Sequence, residues 1–177
     1  MQKSDIRRTM KQRIAALSFD HKDRESSLII NKLKWFCDDM QKIWAYLALD
    51  SEPNLDPLIQ QRLDQSKEIY VPWVCDDTDT SPYMVRLERR EDIVMYHHQR
   101  TVRWWIPLSG WLDVIICPWR AFTQQWQRLG RWGGRYDRVL YDHLDAIIYW
   151  VCFDIQLMPE LPVQEHDMPM HHIITWA

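Results

Sequence analysis

Apolar residues recur at helical spacing near the start of the chain, where Ile6, Met10, Ile14 and Leu17 alternate with charged positions. This spacing predicts a helix from Ser4 to Leu17, with Ser4 as its N-cap. A second helix is predicted from about Asp20 to Cys37, burying Leu28, Ile29, Leu33 and Phe36. The period then changes: Lys42–Leu49 is a compact apolar run of strand length, followed by a loop at Asp50–Asn54. Leu55–Leu63 has helical spacing. Glu68–Val71, just ahead of Pro72, reads as a strand, and the acidic stretch Cys75–Ser81 as a turn or loop. Pro82–Glu88 and Asp92–Tyr96 are candidates for short strands. Asp113–Cys117 is the clearest buried strand, stopped by Pro118. Tyr136–Ile147 suits a helix, Ile148–Phe153 a strand, and His172–Thr175 a last short strand.

Apolar strands alternating with helices predict an α/β fold, with a mainly parallel central sheet and helices on both faces. The expectation is a single three-layer domain over residues 1–177, since this length suits one domain and no repeat or low-complexity linker divides it.

Hydrophobic residues make up 46% and charged residues 27%, a globular balance and not a disordered one. The formal net charge of −3 argues against nucleic-acid binding by bulk phosphate neutralisation. No apolar run approaches the ~18–20 residues needed to span a bilayer. The charged start, Met1–Arg13, has no apolar segment of the signal-peptide kind. Cys37, Cys75, Cys117 and Cys152 lie far apart without a CxxC pair, which disfavours both a zinc ribbon and a disulfide scaffold. The expected setting is the cytoplasm, with reduced thiols. One count is out of line: the chain has 11 Trp and 4 Gly, where an average glycine content of ~7% would give about 12.

In parallel sheets, ligands bind beyond the carboxyl ends of the strands. The segment Arg128–Arg138 is the best candidate. It holds three of the four glycines (Gly130, Gly133, Gly134), four arginines and Asp137, and it leads into the predicted helix. Glycines let successive backbone N–H groups converge on an anion, and a helix N-terminus adds its dipole. Arginines supply charge-assisted bonds to phosphate, and an adjacent aspartate can hold Mg2+ beside substrate phosphates. No Gly-Lys-Ser/Thr ends the segment, so it is not a Walker A loop. The plainer reading is a glycine turn with a solvated basic face. Lys3 and Arg7, four apart, share one helical face that is either solvated or turned toward a triphosphate. The pairs His97–His98 and His171–His172 read as surface or structural, because neighbours on a strand point to opposite faces. Glu165-His166-Asp167 is a polar loop, or else the source of a second metal carboxylate.

Together these segments resemble the 5-formyltetrahydrofolate cyclo-ligase family, also called methenyltetrahydrofolate synthetase. That family's hallmark is a strand ending in Pro-Gly and Ala-Phe, then Gly-x-Arg-Leu-Gly-x-Gly-Gly-Gly-x-Tyr-Asp-Arg. Here stand Pro118, Ala121-Phe122, Arg128-Leu129-Gly130, Gly133-Gly134 and Tyr136-Asp137-Arg138. Lys3 and Arg7 resemble its N-terminal basic pair. Ile43–Leu49 with Glu52 resembles its substrate strand and glutamate, Val71-Pro72 a strand-end proline, and Pro162–Thr175 the C-terminal segment with His-Asp and Ile-Ile-Thr. The matches run over almost the whole chain.

The resemblance implies ATP- and Mg2+-dependent cyclisation of 5-formyltetrahydrofolate to 5,10-methenyltetrahydrofolate, releasing ADP and phosphate. The formyl oxygen attacks the γ-phosphate, and N10 of the folate then closes on the activated carbon. Such chemistry rests on positioning and charge neutralisation. It implies that Lys3, Arg7 and Arg128 contact the ATP phosphates, with Lys3 and Arg128 catalytic. The cradle is completed by Leu129, Gly130, Arg131, Trp132, Gly133, Gly134 and Arg135, with Tyr136 at its end. Leu47, Glu52 and Tyr136 contact the folate, and Asp137 with Asp167 binds Mg2+. The partner is then a small molecule, with neither nucleic acid nor membrane, and a monomer is expected. The alternatives are a relative using ATP on another substrate, or a non-catalytic folate- or nucleotide-binding homologue with a decayed phosphate loop.

The departures from the hallmark are systematic. Trp119, Trp126 and Trp132 stand where the pattern has glycine, and Trp44, Trp105 and Trp150 also fall where glycine would suit it. Tryptophan normally destroys a phosphate nest, because the backbone can no longer approach the ligand. A source that reads UGA as glycine, its gene translated with UGA as tryptophan, accounts for all of these at once. Eight such positions would bring glycine to the average content.

Overall fold

The computed structural model of the chain describes residues 2–74, 83–123, 127–129, 140–162 and 172–175. Two helices lead: α1 (Lys3–Ala15) and α2 (Phe19–Phe36), then strand β1 (Lys42–Ala45), helix α3 (Asp56–Asp64) and strand β2 (Glu68–Trp73). The strands β3 (Tyr83–Leu87), β4 (Ile93–Tyr96), β5 (Gln99–Val102), β6 (Val114–Pro118), β7 (Ala121–Thr123) and β8 (Arg128–Leu129) follow. Next come β9 (Ile147–Val151), β10 (Leu157–Met158) and β11 (His172–Ile174).

The central sheet has the order β11-β9-β6-β1-β2-β3. Every neighbouring pair is parallel except β2 with β3. The α/β architecture with a mainly parallel sheet is therefore as the sequence predicts. Side chains alternate strictly between its faces. Ile43, Ala45, Ile69, Val71, Val114, Ile116, Tyr149 and Val151 pack on one side with Ile29 and Leu33 of α2 and Leu58 and Ile59 of α3. Trp44, Tyr70, Ile115, Cys117, Ile148 and Trp150 pack on the other with Leu112, Phe122 and Leu140. A third cluster joins Ile6, Met10 and Ile14 of α1 to Ala121, Leu129, Phe153 and Leu161, so α1 lies on the small sheet β10-β7-β8.

Several boundaries differ from the sequence reading, each for a local reason. Helix α1 begins at Lys3 with Gln2 as N-cap, so Ser4 lies inside it. Helix α2 buries Glu25, Ser26, Ile29, Ile30 and Leu33, while Leu28 and Phe36 are exposed at its flank. Strand β1 ends at Ala45, although burial continues through Ala48. Pro72 lies inside β2, while β6 ends at Pro118 itself, one residue beyond the expected bound. Both sit past the end of the β1 ladder, which stops at Tyr70 and Ile116, so neither removes a bond to β1. Strand β9 starts at Ile147, because turns from Leu140 to His143 and His143 to Ala146 end the helical residues at Tyr141. His97 and His98 are not on a strand. They form the two-residue turn of the β4–β5 hairpin, both with positive φ, as a type I′ hairpin turn requires.

The C-terminus of α2 is closed by a buried arginine. Arg62 Nη2 donates to Cys37 O at 2.5 Å and Nη1 to Asp38 O at 3.3 Å, while Lys67 Nζ donates to Asp38 O at 3.2 Å. These donors satisfy carbonyls that a helix end leaves open, and their charge opposes the negative end of the dipole. Arg62→Leu should cost about 2–3 kcal/mol, read as a lower urea midpoint at unchanged slope. An unchanged midpoint would refute this role.

Cys37, Cys117 and Cys152 are buried thiols. Burial pushes the Cys37 thiol up to about 11, partly opposed by Arg62, and raises Cys152 as well. Since the thiolate is the nucleophile, an alkylating reagent at neutral pH should leave these three unmodified until the protein unfolds. Rapid labelling of Cys152 in the native protein would contradict the packing.

Candidate functional site

The strand order creates a crevice. From β1 the chain crosses through α3 to β2 on one side, whereas from β6 it proceeds through β7 and β8 to β9 on the other. Strands β1 and β6 are adjacent and parallel, so their carboxyl ends form a topological switch point, the usual ligand position in open α/β sheets. The loops facing each other there are 46–54 and 119–120, and they include Leu47 and Glu52.

Loop 46–54 is held from several directions. Tyr46 Oη donates to Pro53 O at 2.6 Å, Lys22 Nζ to Asp50 O at 3.1 Å, and Asn54 N–H to Ser26 Oγ at 3.0 Å. Glu52 Oε2 accepts the Leu49 N–H at 2.9 Å, and the Glu52 N–H returns to Leu49 O. The carboxylate is thereby held in one orientation within the loop. Arg100 of the hairpin grips Asp56, at the start of α3, through two bonds of 2.8 and 2.9 Å, and reaches Ala48 O at 3.3 Å. Such a fork-to-carboxylate pair fixes geometry as well as charge.

Opposite this loop, Gln156 is buried and ties its own turn to the segment after β6. Its amide nitrogen donates to Trp119 O and to Arg120 O (3.1 Å), while its oxygen accepts the Phe153 N–H at 2.8 Å. Glu25 is likewise buried. Its carboxylate accepts the Asp154 N–H at 3.0 Å and meets His21 Nε2 at 2.5 Å, linking α2 to the segment after β9.

The structure brings some of the expected site residues together. Lys3 and Arg7 flank Ile6 on α1, and Ile6 packs in the cluster that contains Leu129. Arg128 and Leu129 form β8, paired with Phe122 and Ala121. The basic pair of α1 therefore sits on the same packed unit as the start of the glycine-rich segment. That segment leaves from buried Leu129 and returns at Leu140, which packs with Trp119 and Trp150. Gly130, Arg131, Trp132, Gly133, Gly134, Arg135, Tyr136, Asp137 and Asp167 lie outside the described residues. Among the described residues no group of three His, Cys, Asp or Glu could hold a metal ion, and no helix is long and apolar enough to cross a membrane.

Ser26, Arg100 and Gln156 were not expected from the sequence. Each is a single polar residue acting on a segment far along the chain. The one available signal was polarity inside otherwise apolar stretches.

Comparison with known proteins identifies relatives of the chain and of its fold. The chain is 33% identical over 138 residues to 5-formyltetrahydrofolate cyclo-ligase of Escherichia coli K12, covering 74% of this chain and 75% of that one. It is 29% identical to the cyclo-ligase of Mus musculus, covering 97% and 92%. Its fold matches the NMR structure of Aquifex aeolicus 5,10-methenyltetrahydrofolate synthetase with a TM-score of 0.81 at 24% identity, over 99% of this chain and 90% of that one. The profile of the 5-formyltetrahydrofolate cyclo-ligase family matches residues 1–176, and the chain belongs to that family.

Proposed function

We propose that the switch-point crevice binds 5-formyltetrahydrofolate between loop 46–54 and the segment after β6, with ATP held by the glycine-rich segment. The observation that carries this reading is the docking of α1, with Lys3 and Arg7, onto the β7–β8 unit from which that segment starts. The activity is the family's conversion of 5-formyltetrahydrofolate to 5,10-methenyltetrahydrofolate.

The donor set suits a polyphosphate. Lys3, Arg7 and Arg128 would neutralise phosphate oxygens, with backbone N–H groups from Leu129 to Arg135, Trp132 included, and Tyr136 completing the cradle. Asp137 and Asp167 would hold Mg2+, which supplies charge neutralisation at the phosphates. Leu47 and Tyr136 would flank the folate, and the pre-oriented Glu52 would meet its pterin or formyl end. The residues act by aligning the formyl oxygen and excluding water, since the barrier is lowered mainly by position and charge. Residues 1–177 act as one domain and a monomer in the cytoplasm, with no nucleic acid or membrane needed for this reaction.

The test follows the absorbance of the methenyl product alongside released phosphate. Product should form only with both ATP and Mg2+, one phosphate per product. Glu52→Gln should raise KM for the folate about tenfold while leaving KM for ATP within about twofold. Folate binding without turnover would favour the non-catalytic reading. One observation speaks for that reading: Trp119 and Trp150 are packed edge to face, 5.0 Å apart, where the crevice meets the sheet.

A further inference from the structure

Seven of the described tryptophans divide between burial and open exposure, with Trp73 half-buried between them. Trp44, Trp119 and Trp150 are only 0%, 8% and 1% exposed and share one cluster. Each lies within one residue of the carboxyl end of β1, β6 or β9, three adjacent strands. They therefore form a layer of indoles on one face of the sheet, at the switch point. Leu140, the far anchor of the glycine-rich segment, packs in the same cluster. Trp35 and Trp111, in contrast, are 78% and 77% exposed, and Trp104 and Trp105 are exposed beside a bend. Tryptophan is the residue with the largest apolar surface to bury, and on average it is highly buried.

A crevice that admits a nucleotide needs close approach of backbone to phosphate at the strand ends, and glycine is the residue that permits it. Here the largest side chain stands at three neighbouring strand ends, and again at positions 126 and 132 within the hallmark segment. Independent substitutions would scatter over residue types, whereas these are all tryptophan in a chain with 11 Trp and 4 Gly. A single codon read in two ways produces this pattern.

We propose that positions 44, 119, 126, 132 and 150 are encoded by UGA and that the source organism inserts glycine there. The protein made in the cell then has an open crevice and an unobstructed glycine-rich segment. The inference rests on the cyclo-ligase reading for the role of the crevice, but its test does not.

The codons are read first, and the protein purified from its native source is then mapped by peptide mass spectrometry. Trypsin separates position 119 from 126 at Arg120, and 126 from 132 at Arg128 and Arg131. The expected result is UGA at all five codons, with each peptide lighter by the Trp-to-Gly difference for every such position. A UGG codon, or tryptophan in the native peptide, at any of the five overturns the proposal whatever the activity. Glycine at all five in a protein that binds folate without forming the methenyl product leaves this inference standing and overturns the catalytic reading instead.

Discussion

Asp137→Ala should lower ATP-dependent methenyl formation by at least about a hundredfold while 5-formyltetrahydrofolate still binds. If Asp137 holds Mg2+ as proposed, its loss removes several kcal/mol of charge stabilisation at the transferring phosphoryl group, and each 1.36 kcal/mol is about tenfold in rate. On the proposed reading the folate sits against loop 46–54, which is held by Tyr46 from within and by Lys22 and Ser26 from α2. Its affinity should therefore move by less than about threefold, within the range of a substitution that leaves the contacts intact. Excess Mg2+ should recover part of the rate if the loss is one of metal affinity. Tyr141→Ala, at an exposed position beyond Leu140, is the control and should retain full activity. Full activity in Asp137→Ala would refute the metal assignment, and equal loss of folate binding would point to collapse of the segment instead.

The second large effect concerns stability. Glu25→Ala should destabilise the fold by about 2–4 kcal/mol, because it removes a buried carboxylate and strips the half-buried Asp154 N–H and His21 of their partner at once. For a chain of this length that corresponds to a fall in Tm of roughly 5–15 °C. Glu25→Gln should lose clearly less, since the amide oxygen can still accept from Asp154 N–H and the amide NH2 can donate to a neutral imidazole. A thermal melt of the three proteins decides it. If the alanine variant melts within a degree or two of the parent, the Glu25 link is incidental. The expected loss is a large share of the 5–15 kcal/mol that separates folded from unfolded states in ordinary domains.

These two cases show what could be read from the sequence and what could not. The strand at Asp113–Cys117 was legible because a strand buried on both faces is apolar at every position, and β6 indeed has all five residues buried. The stripe Ile6, Met10, Ile14 was legible for the complementary reason, a helix with one buried face. Helix α2 buries Ile29 and Leu33 as expected, but Leu28 and Phe36 are exposed because its buried face also runs through the polar Glu25 and Ser26. Their burial is compensated by bonds to Asp154, Asn54 and Lys22 O that only the folded chain supplies. Strands β7, β8 and β10, of two or three residues, are too short to show any period. The turn at His97–His98 lacks the Asn-Gly or Gly-Gly pair that marks such hairpins. At the candidate site, Lys3 and Arg7 stood out by their spacing on one helical face and Arg128 by the glycine- and arginine-rich segment it opens, whereas Glu52 stood out only through the order of motifs along the chain. Gln156 and Arg100 carry none either, because what they hold lies dozens of residues away.

The switch point also sets a limit on how fast the protein can fold. Strand β1 has β2 on one side, with Lys42 beside Glu68, and β6 on the other, with Ile43 beside Val114. The first pairing closes a short βαβ loop. The second must wait for a much longer one that includes the β4–β5 hairpin. Parallel pairings between distant segments are the slow kind, because the chain loses loop entropy before the contacts reward it. Refolding should accordingly show β1, α3 and β2 gaining protection from hydrogen exchange before β6 and β9. During that interval the β6-facing edge of β1 is an open, apolar strand edge, the point at which this chain is most exposed to aggregation.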